Sequence, residues 1–98
     1  MLTLDRALEK LRQNNHHLQS TFGIVQMNIF GSVARNENRP SSDIDILISF
    51  ERTPSIFFLE DVRVSLRKIL RVRVDIVVDN DELDQNFRER ISNEKVKV

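Results

Sequence analysis

The sequence lacks cysteine altogether and contains only two glycines and two prolines among its 98 residues. Without cysteine, the chain can form neither disulfide bonds nor thiolate metal sites, and its composition suits a reducing, cytoplasmic environment. No apolar run approaches the ~20 residues of a membrane span. Asp5 and Glu9 interrupt any apolar segment at the N-terminus, which argues against a signal peptide.

The sequence also lacks an excess of charge of either sign, since 15 basic residues balance 15 acidic ones. A protein that coats nucleic acid is usually basic, so direct nucleic-acid binding is not expected. The hydrophobic content is 40% and the charged content is 31%, which favours a folded chain over a disordered one. The length predicts one domain over residues 1–98.

One of the two glycines lies in the most informative stretch. A strand-like run ends at Gly31-Ser32, and after ten residues Asp43-Ile44-Asp45 begins the next strand-like run. Glycine allows a tight turn and a close approach to a ligand, and the N–H groups of a short helix starting at Ser32 can bind an anion. Asp43 and Asp45 are two residues apart on a strand, so both carboxylates project from one face.

A third carboxylate, Asp75, lies inside the valine-rich run of residues 72–78. An aspartate there needs charge compensation. If this strand lies next to the Asp43–Asp45 strand, the three carboxylates form a site for Mg²⁺, a hard ion that also takes phosphate oxygens. The competing interpretation is an ion pair between Asp75 and Arg73, which shares its face.

Hydrophobic periodicity predicts an α/β fold with a mixed sheet of three or four strands and helices mainly on one face. The expected helices cover residues 3–19, 32–35 and 54–70, with a last helix opened by Asp79 and Glu82. Thr3 and Thr53 are the expected caps of the first and third of these helices, and Gly23 marks the end of the first region. The expected strands cover residues 24–30, 44–50 and 72–78, with a short edge strand within residues 95–98.

Alternation within these strands predicts which side chains share a face. Val25, Met27 and Ile29 are expected together, and Ile44, Ile46 and Ile48 are expected to pack on helices opposite the aspartates. Within the third helix, Phe57 and Val64 lie off the apolar stripe, as surface residues or as part of a partner interface. A basic group near its end is interpreted as a solvated face: Arg63, Arg67, Lys68, Arg71, Arg73.

The pattern Gly31-Ser32, ten residues, Asp43-Ile44-Asp45 and a later strand aspartate, Asp75, resembles the nucleotidyltransferase superfamily that includes DNA polymerase beta. The short chain and the form Phe30-Gly31-Ser32-x-Ala34-Arg35 look like the minimal nucleotidyltransferases, many of which are antitoxins paired with HEPN-domain toxins. Members often have glycine after the motif arginine, where this chain has Asn36.

The resemblance implies a Mg²⁺-dependent enzyme that transfers AMP from ATP to a tyrosine of a cognate HEPN toxin, with which it would form a hetero-oligomer. It implies that Asp43, Asp45 and Asp75 are the catalytic, metal-binding residues and that Gly31 and Ser32 bind the nucleotide. Arg35 is expected either to bind a nucleotide phosphate with them or to be a surface arginine. The chain has no tyrosine, so it cannot be that acceptor itself. Two alternatives remain: an antitoxin that masks its toxin without chemistry, and a small-molecule nucleotidyltransferase of the aminoglycoside-modifying kind.

Overall fold

The computed structural model describes residues 1–98 and has a four-stranded mixed sheet. The elements are helices α1 (Leu4–Gln13) and α2 (Asn15–Phe22), strand β1 (Ile24–Phe30), helix α3 (Gly31–Ala34), strand β2 (Ile44–Phe50), helix α4 (Ile56–Leu70), strand β3 (Val74–Val78), helix α5 (Gln85–Ile91) and strand β4 (Val96–Lys97). The strand order is β3-β2-β1-β4, with β2 parallel to β3 and β1 antiparallel to both of its neighbours. The predicted α/β class is confirmed.

One face of the sheet packs against α1, α2 and α4 and holds the larger hydrophobic core. Ile44, Ile46 and Ile48 are completely buried on this face, as their alternation predicted. The helices contribute a matching set of buried side chains: Ala7, Leu8, Leu11, Leu18, Val62, Leu66, Leu70. Full burial of one such leucine stabilises the fold by about 1.5–3 kcal/mol, so this cluster of 15 buried residues contributes more hydrophobic stabilisation than the cluster of three on the other face. None of these helices is long and apolar enough to cross a bilayer.

The opposite face of the sheet is covered only in part. Helix α5 contributes Ile91 to a small second cluster with Phe30 and Leu47 of the sheet, and Phe87 of the same helix packs against this cluster. The rings of Phe30 and Phe87 meet edge to face, with centroids 5.6 Å apart. Helices therefore lie mainly on one face, as predicted, and the second face is left for polar side chains.

The N-terminal helix is interrupted, contrary to the prediction of one helix over residues 3–19. Asn14 lies between α1 and α2, and its side-chain amide donates to the carbonyl of Lys10 at 2.8 Å. An asparagine that satisfies a backbone carbonyl in this way competes with continued helix. The predicted ends are confirmed: Thr3 accepts from the N–H of Arg6 at 3.1 Å, and Gly23 closes α2 with φ 65°.

Strand β1 contains a β-bulge that the sequence did not reveal. Its pairing with β2 skips Val25 between Ile24 and Gln26. The bulge turns Val25 outward, to 58% exposure, while Ile24 and Met27 are buried. The expectation that Val25 shares a face with Met27 and Ile29 is therefore wrong.

Helix α4 begins two residues later than expected. Its cap is Ser55, which accepts from the N–H of Phe58 at 3.1 Å, and the predicted cap Thr53 lies before it. Phe57 is 85% exposed and Val64 is 39% exposed, so both lie off the buried stripe, as predicted.

Helix α5 is not capped by Asp79 and Glu82 as predicted. Its cap is Asp84, whose carboxylate accepts from the N–H of Asn86 at 3.1 Å. Asp79 instead accepts from Arg88 Nη1 at 2.6 Å and ties the end of β3 to α5. The preceding strand β3 begins at Val74, two residues later than predicted, and the edge strand β4 is confirmed.

Candidate active site

Gly31 brings the end of β1 into contact with the aspartate-bearing strand β2. Its φ is 76°, a left-handed value that favours glycine. A Cβ at this position would overlap Asp45 Oδ2. Both constraints explain why one of only two glycines stands here, and they let Asp45 pack directly against the backbone of Gly31.

Asp45 and Asp75 lie side by side across neighbouring strands. They are register partners in the parallel pairing of β2 and β3, so their carboxylates share the second face of the sheet. Burial, followed by the negative charges of Asp75 and Asp43, raises the pKa of Asp45. The sequence predicted this adjacency on the condition that the two strands were neighbours, and they are.

Asp43 lies just before β2 and is held by Arg73. Arg73 Nε lies 3.1 Å from Asp43 Oδ1, so the arginine does not form the predicted competing ion pair with Asp75. The parallel register explains why Arg73 pairs with Asp43 and not with Asp75. Ile44 is paired with Val74, so the preceding residues, 43 and 73, also lie side by side. Asp75 is thus left exposed with no salt bridge of its own.

The donor chemistry of these three carboxylates suits a hard divalent cation such as Mg²⁺. The repulsion that raises the pKa of Asp45 is what a cation placed between the carboxylates would relieve. No three acidic or histidine side chains are grouped at metal-holding distances in this arrangement, and Asp43 faces Arg73. The ligand chemistry and the strand positions of these aspartates therefore suit the ion. Asp43 would have to break its ion pair with Arg73 to bind a metal together with Asp45 and Asp75.

The segment after Gly31 carries the other predicted binding residues. Ser32 is half-buried in α3, a helix that begins at Gly31, one residue earlier than predicted. Arg35 follows with an exposed side chain whose Nε lies 3.0 Å from Glu37 Oε1. Asn36 adopts φ 59°, the left-handed conformation expected where relatives often have glycine. The departure from the family pattern thus leaves the turn intact.

Glu94 is a fourth carboxylate at this site, and the sequence did not reveal it. Its Oε2 accepts from the Gly31 N–H at 2.5 Å and from Arg35 Nη1 at 3.0 Å. The pairing of Ile29 with Val96 explains the contact, because the same antiparallel register places residue 94 opposite residue 31. The edge strand was predicted, but its register was not, and no local pattern marks a residue so distant in sequence.

A mixed sheet with Gly-Ser at the end of one strand and carboxylates on the next two defines a nucleotidyltransferase of the DNA polymerase beta-like class. The family model for the nucleotidyltransferase domain matches residues 5–98. The chain therefore belongs to this family and, within it, is a minimal nucleotidyltransferase.

Curated relatives and solved structures agree with this assignment. Protein adenylyltransferase MntA of Thermococcus cleftensis is 36% identical over 78 residues, covering 80% of this chain and 79% of that protein. A solved structure of a candidate minimal nucleotidyltransferase has a TM-score of 0.78 and 33% identity, covering 99% of this chain and 97% of that one.

More distant structures show the fold alone. A toxin–antitoxin structure with AMP-PNP has a TM-score of 0.69 at 19% identity and covers 98% of this chain and 72% of that one. A complex of tri-AMPylated HEPN toxin with MNT antitoxin from Shewanella oneidensis has a TM-score of 0.59 at 17% identity, covering 95% of this chain and 66% of that one.

Proposed function

We propose that this nucleotidyltransferase is an antitoxin that transfers AMP from Mg²⁺–ATP to a tyrosine of a cognate HEPN ribonuclease toxin in the cytoplasm. The observation that carries the proposal is the placement of Asp45 beside Asp75, with Gly31 packed against Asp45. The names of its relatives support the acceptor class, since one is a protein adenylyltransferase and others are toxin–antitoxin complexes.

Gly31, Ser32 and Arg35 would bind the β- and γ-phosphates. The Gly31 N–H and the Arg35 guanidinium already point at a single carboxylate oxygen, that of Glu94, so they converge on one anionic position. An arginine beside a backbone N–H is a strong arrangement for phosphate oxygens because both hydrogen bonds are charge-assisted.

Asp43, Asp45 and Asp75 would hold the metal–nucleotide from the open face of the sheet. When bound, Mg²⁺ would supply charge neutralisation on the attacking and leaving oxygens. Asp75 is the most exposed of the three aspartates, which suits the position nearest the incoming hydroxyl. Arg73, freed from Asp43, would stay at the rim of the site.

The proposed reaction is an in-line displacement at the α-phosphorus. The acceptor hydroxyl oxygen forms a bond to that phosphorus while the bond from the phosphorus to the oxygen bridging to the β-phosphate breaks. The hydroxyl proton passes to Asp75, AMP stays on the acceptor and pyrophosphate leaves. Fixing the two reacting groups in line accounts for a large part of such a rate enhancement.

The test is intact-mass spectrometry of the neighbouring toxin after incubation with this protein, ATP and Mg²⁺. Wild type should add whole AMP units, and a variant carrying both Asp43→Asn and Asp45→Asn should add none. The matched control is Asp81→Asn, which neutralises an exposed loop aspartate and should behave as wild type. Unchanged addition by the double variant would remove these aspartates from the proposal.

Masking without chemistry is the second candidate function, favoured by one observation. In this structure Arg73 holds Asp43, and Glu94 holds Gly31 and Arg35, so internal side chains engage several proposed ligand-binding groups. If the toxin gains no mass but both wild type and the double variant bind and inhibit it equally, masking replaces transfer as the function.

A further inference from the structure

The position proposed for the nucleotide phosphates is filled by a carboxylate of the chain itself. We propose that Glu94 is an internal competitor for the phosphate position, and that nucleotide binding displaces it and releases strand β4. This inference rests on the proposed function, because it takes Gly31 and Arg35 to be the phosphate-binding groups. It makes Glu94 a determinant of nucleotide affinity and of selection for long phosphate chains.

The contact imitates a phosphate in both charge and geometry. A single oxygen, Glu94 Oε2, accepts from the Gly31 N–H at 2.5 Å and from Arg35 Nη1 at 3.0 Å. One phosphate oxygen between the same donors would make the same two charge-assisted hydrogen bonds. The single N–H of Gly31 cannot serve both anions at once, so nucleotide must replace Glu94 to gain this donor.

One repulsive interaction at the site opposes the ion pair between Glu94 and Arg35. Glu94 adds its negative charge to that of Asp75 and Asp43 around Asp45. The Glu94 side chain is only 22% exposed, so solvent screens this repulsion incompletely. If Glu94 leaves when a cation and phosphates bind together, Asp45 loses one negative neighbour, and the cation offsets the negative charge of the phosphates.

The segment that carries Glu94 lies between helix α5 and the short edge strand β4. It follows α5 directly, with the N–H of Lys95 donating to the carbonyl of Ile91 at 3.0 Å. Beyond it, β4 is only two residues long and lies at the sheet edge. It is held by pairing with β1, by the Val98 N–H donating to Met27 at 3.0 Å, by Arg12 Nη2 donating to the Lys97 carbonyl at 3.3 Å, and by the half-buried Val96 and Val98 against the core. Short edge strands of this kind open locally far more readily than central strands.

The affinity test compares Glu94→Gln with a matched control, Glu37→Gln. Both changes remove one negative charge and one ion pair from Arg35, but only Glu94 also occupies the Gly31 N–H. Calorimetric titration with Mg²⁺ and a nonhydrolysable ATP analogue should show Glu94→Gln binding roughly three- to tenfold more tightly than wild type, from the loss of one competing charged contact. Glu37→Gln should stay within about twofold, because its contact does not overlap the anion position.

A shorter ligand separates competition from a general charge effect. AMP lacks the β- and γ-phosphates, so its affinity should be the same in wild type and Glu94→Gln. Equal tightening of AMP and the ATP analogue would contradict competition at the phosphate position. Unchanged or weaker binding of the analogue by Glu94→Gln would overturn the inference while leaving the proposed function in place.

Hydrogen exchange tests displacement in the wild-type protein without any substitution. Adding Mg²⁺ and the ATP analogue should speed exchange at the amides of Val96 and Val98, which face β1, while the amide of Ile46 in the central strand stays protected. Slower exchange at β4 would show that nucleotide binding leaves this segment in place and would overturn the displacement. If neither wild type nor Glu94→Gln binds the analogue, both this inference and the proposed function fail.

Discussion

The two faces of the sheet are built from the same strands and carry opposite chemistry. On β2, Ile44, Ile46 and Ile48 enter a closed core, whereas Asp45 lies on the other face beside Asp75. The first face is covered by three helices and the second only by α5 and its small cluster. One seven-residue strand therefore contributes both to the core and to the proposed site.

This difference separates stability from function. Apolar side chains of the covered face stabilise the folded state because they are removed from water. On the open face, burial and like charges raise the pKa of Asp45, which means that the charged form is held there at a cost. A change on the covered face should therefore affect folding first, and a change among the carboxylates should affect chemistry first.

The largest expected effect is on the open face. Asp75→Asn should lower the rate of AMP transfer by at least roughly 10²–10³-fold, because it removes the proposed proton acceptor and one metal ligand. The thermal midpoint should not fall below that of wild type, because Asp75 is exposed, has no salt bridge and repels Asp45. Single-turnover transfer to the toxin measures the rate. Nearly full activity in this variant would contradict the role of Asp75 in the transfer reaction.

The covered face should show the reverse behaviour. Leu66→Ala removes a completely buried side chain of α4 and should lower the free energy of unfolding by about 2–5 kcal/mol. Its transfer rate per folded molecule, measured well below the unfolding midpoint, should match wild type. A specific loss of activity in the folded variant would show that the two faces are coupled.

The two glycines both have positive φ, but only Gly31 lies against an aspartate of the proposed site. Gly31→Ala and Gly23→Ala both place a Cβ at positive φ, and this backbone conformation alone should cost each variant about 1–2 kcal/mol of stability. Only at Gly31 would the new atom overlap Asp45, because at Gly23 the nearest atom, Glu51 Oε2, is 3.4 Å away. Gly31→Ala should therefore lose transfer activity and Gly23→Ala should keep it. Equal activity in both variants would contradict the close approach.

The smallest expected effect is a gain in stability. Asp45→Asn without metal should raise the thermal midpoint at neutral pH by roughly 2–5 °C, because it removes a partly buried charge beside two others. The pKa of Asp45 is raised in the folded state. Below the ordinary aspartate pKa near 4 the side chain is protonated in both states and does not lower stability. As pH rises through the folded pKa, Asp45 becomes charged in the folded protein and the free energy of unfolding falls. The gain should therefore disappear in acid. Thermal scans from pH 3 to 7, with Asp81→Asn as control, measure it.

Local sequence signals predicted the strands, the glycine turn and the three aspartates. They did not reveal contacts that depend on register. The pairing of Arg73 with Asp43 and of Glu94 with Gly31 follows from how neighbouring strands align, which the hydrophobic pattern of each strand does not specify. The bulge at Val25 was not predicted for the same reason, because a bulge depends on how one strand pairs with its neighbour.

Divalent-cation binding measures most directly whether the open face of the sheet holds a metal–nucleotide. Mn²⁺ has oxygen-ligand preferences close to those of Mg²⁺ and is visible by electron paramagnetic resonance. With a nonhydrolysable ATP analogue present, wild type and Asp81→Asn should bind Mn²⁺ equally, and Asp45→Asn should bind it at least about tenfold more weakly. Equal binding by Asp45→Asn, in a folded protein, would contradict the assignment of this face to metal–nucleotide chemistry.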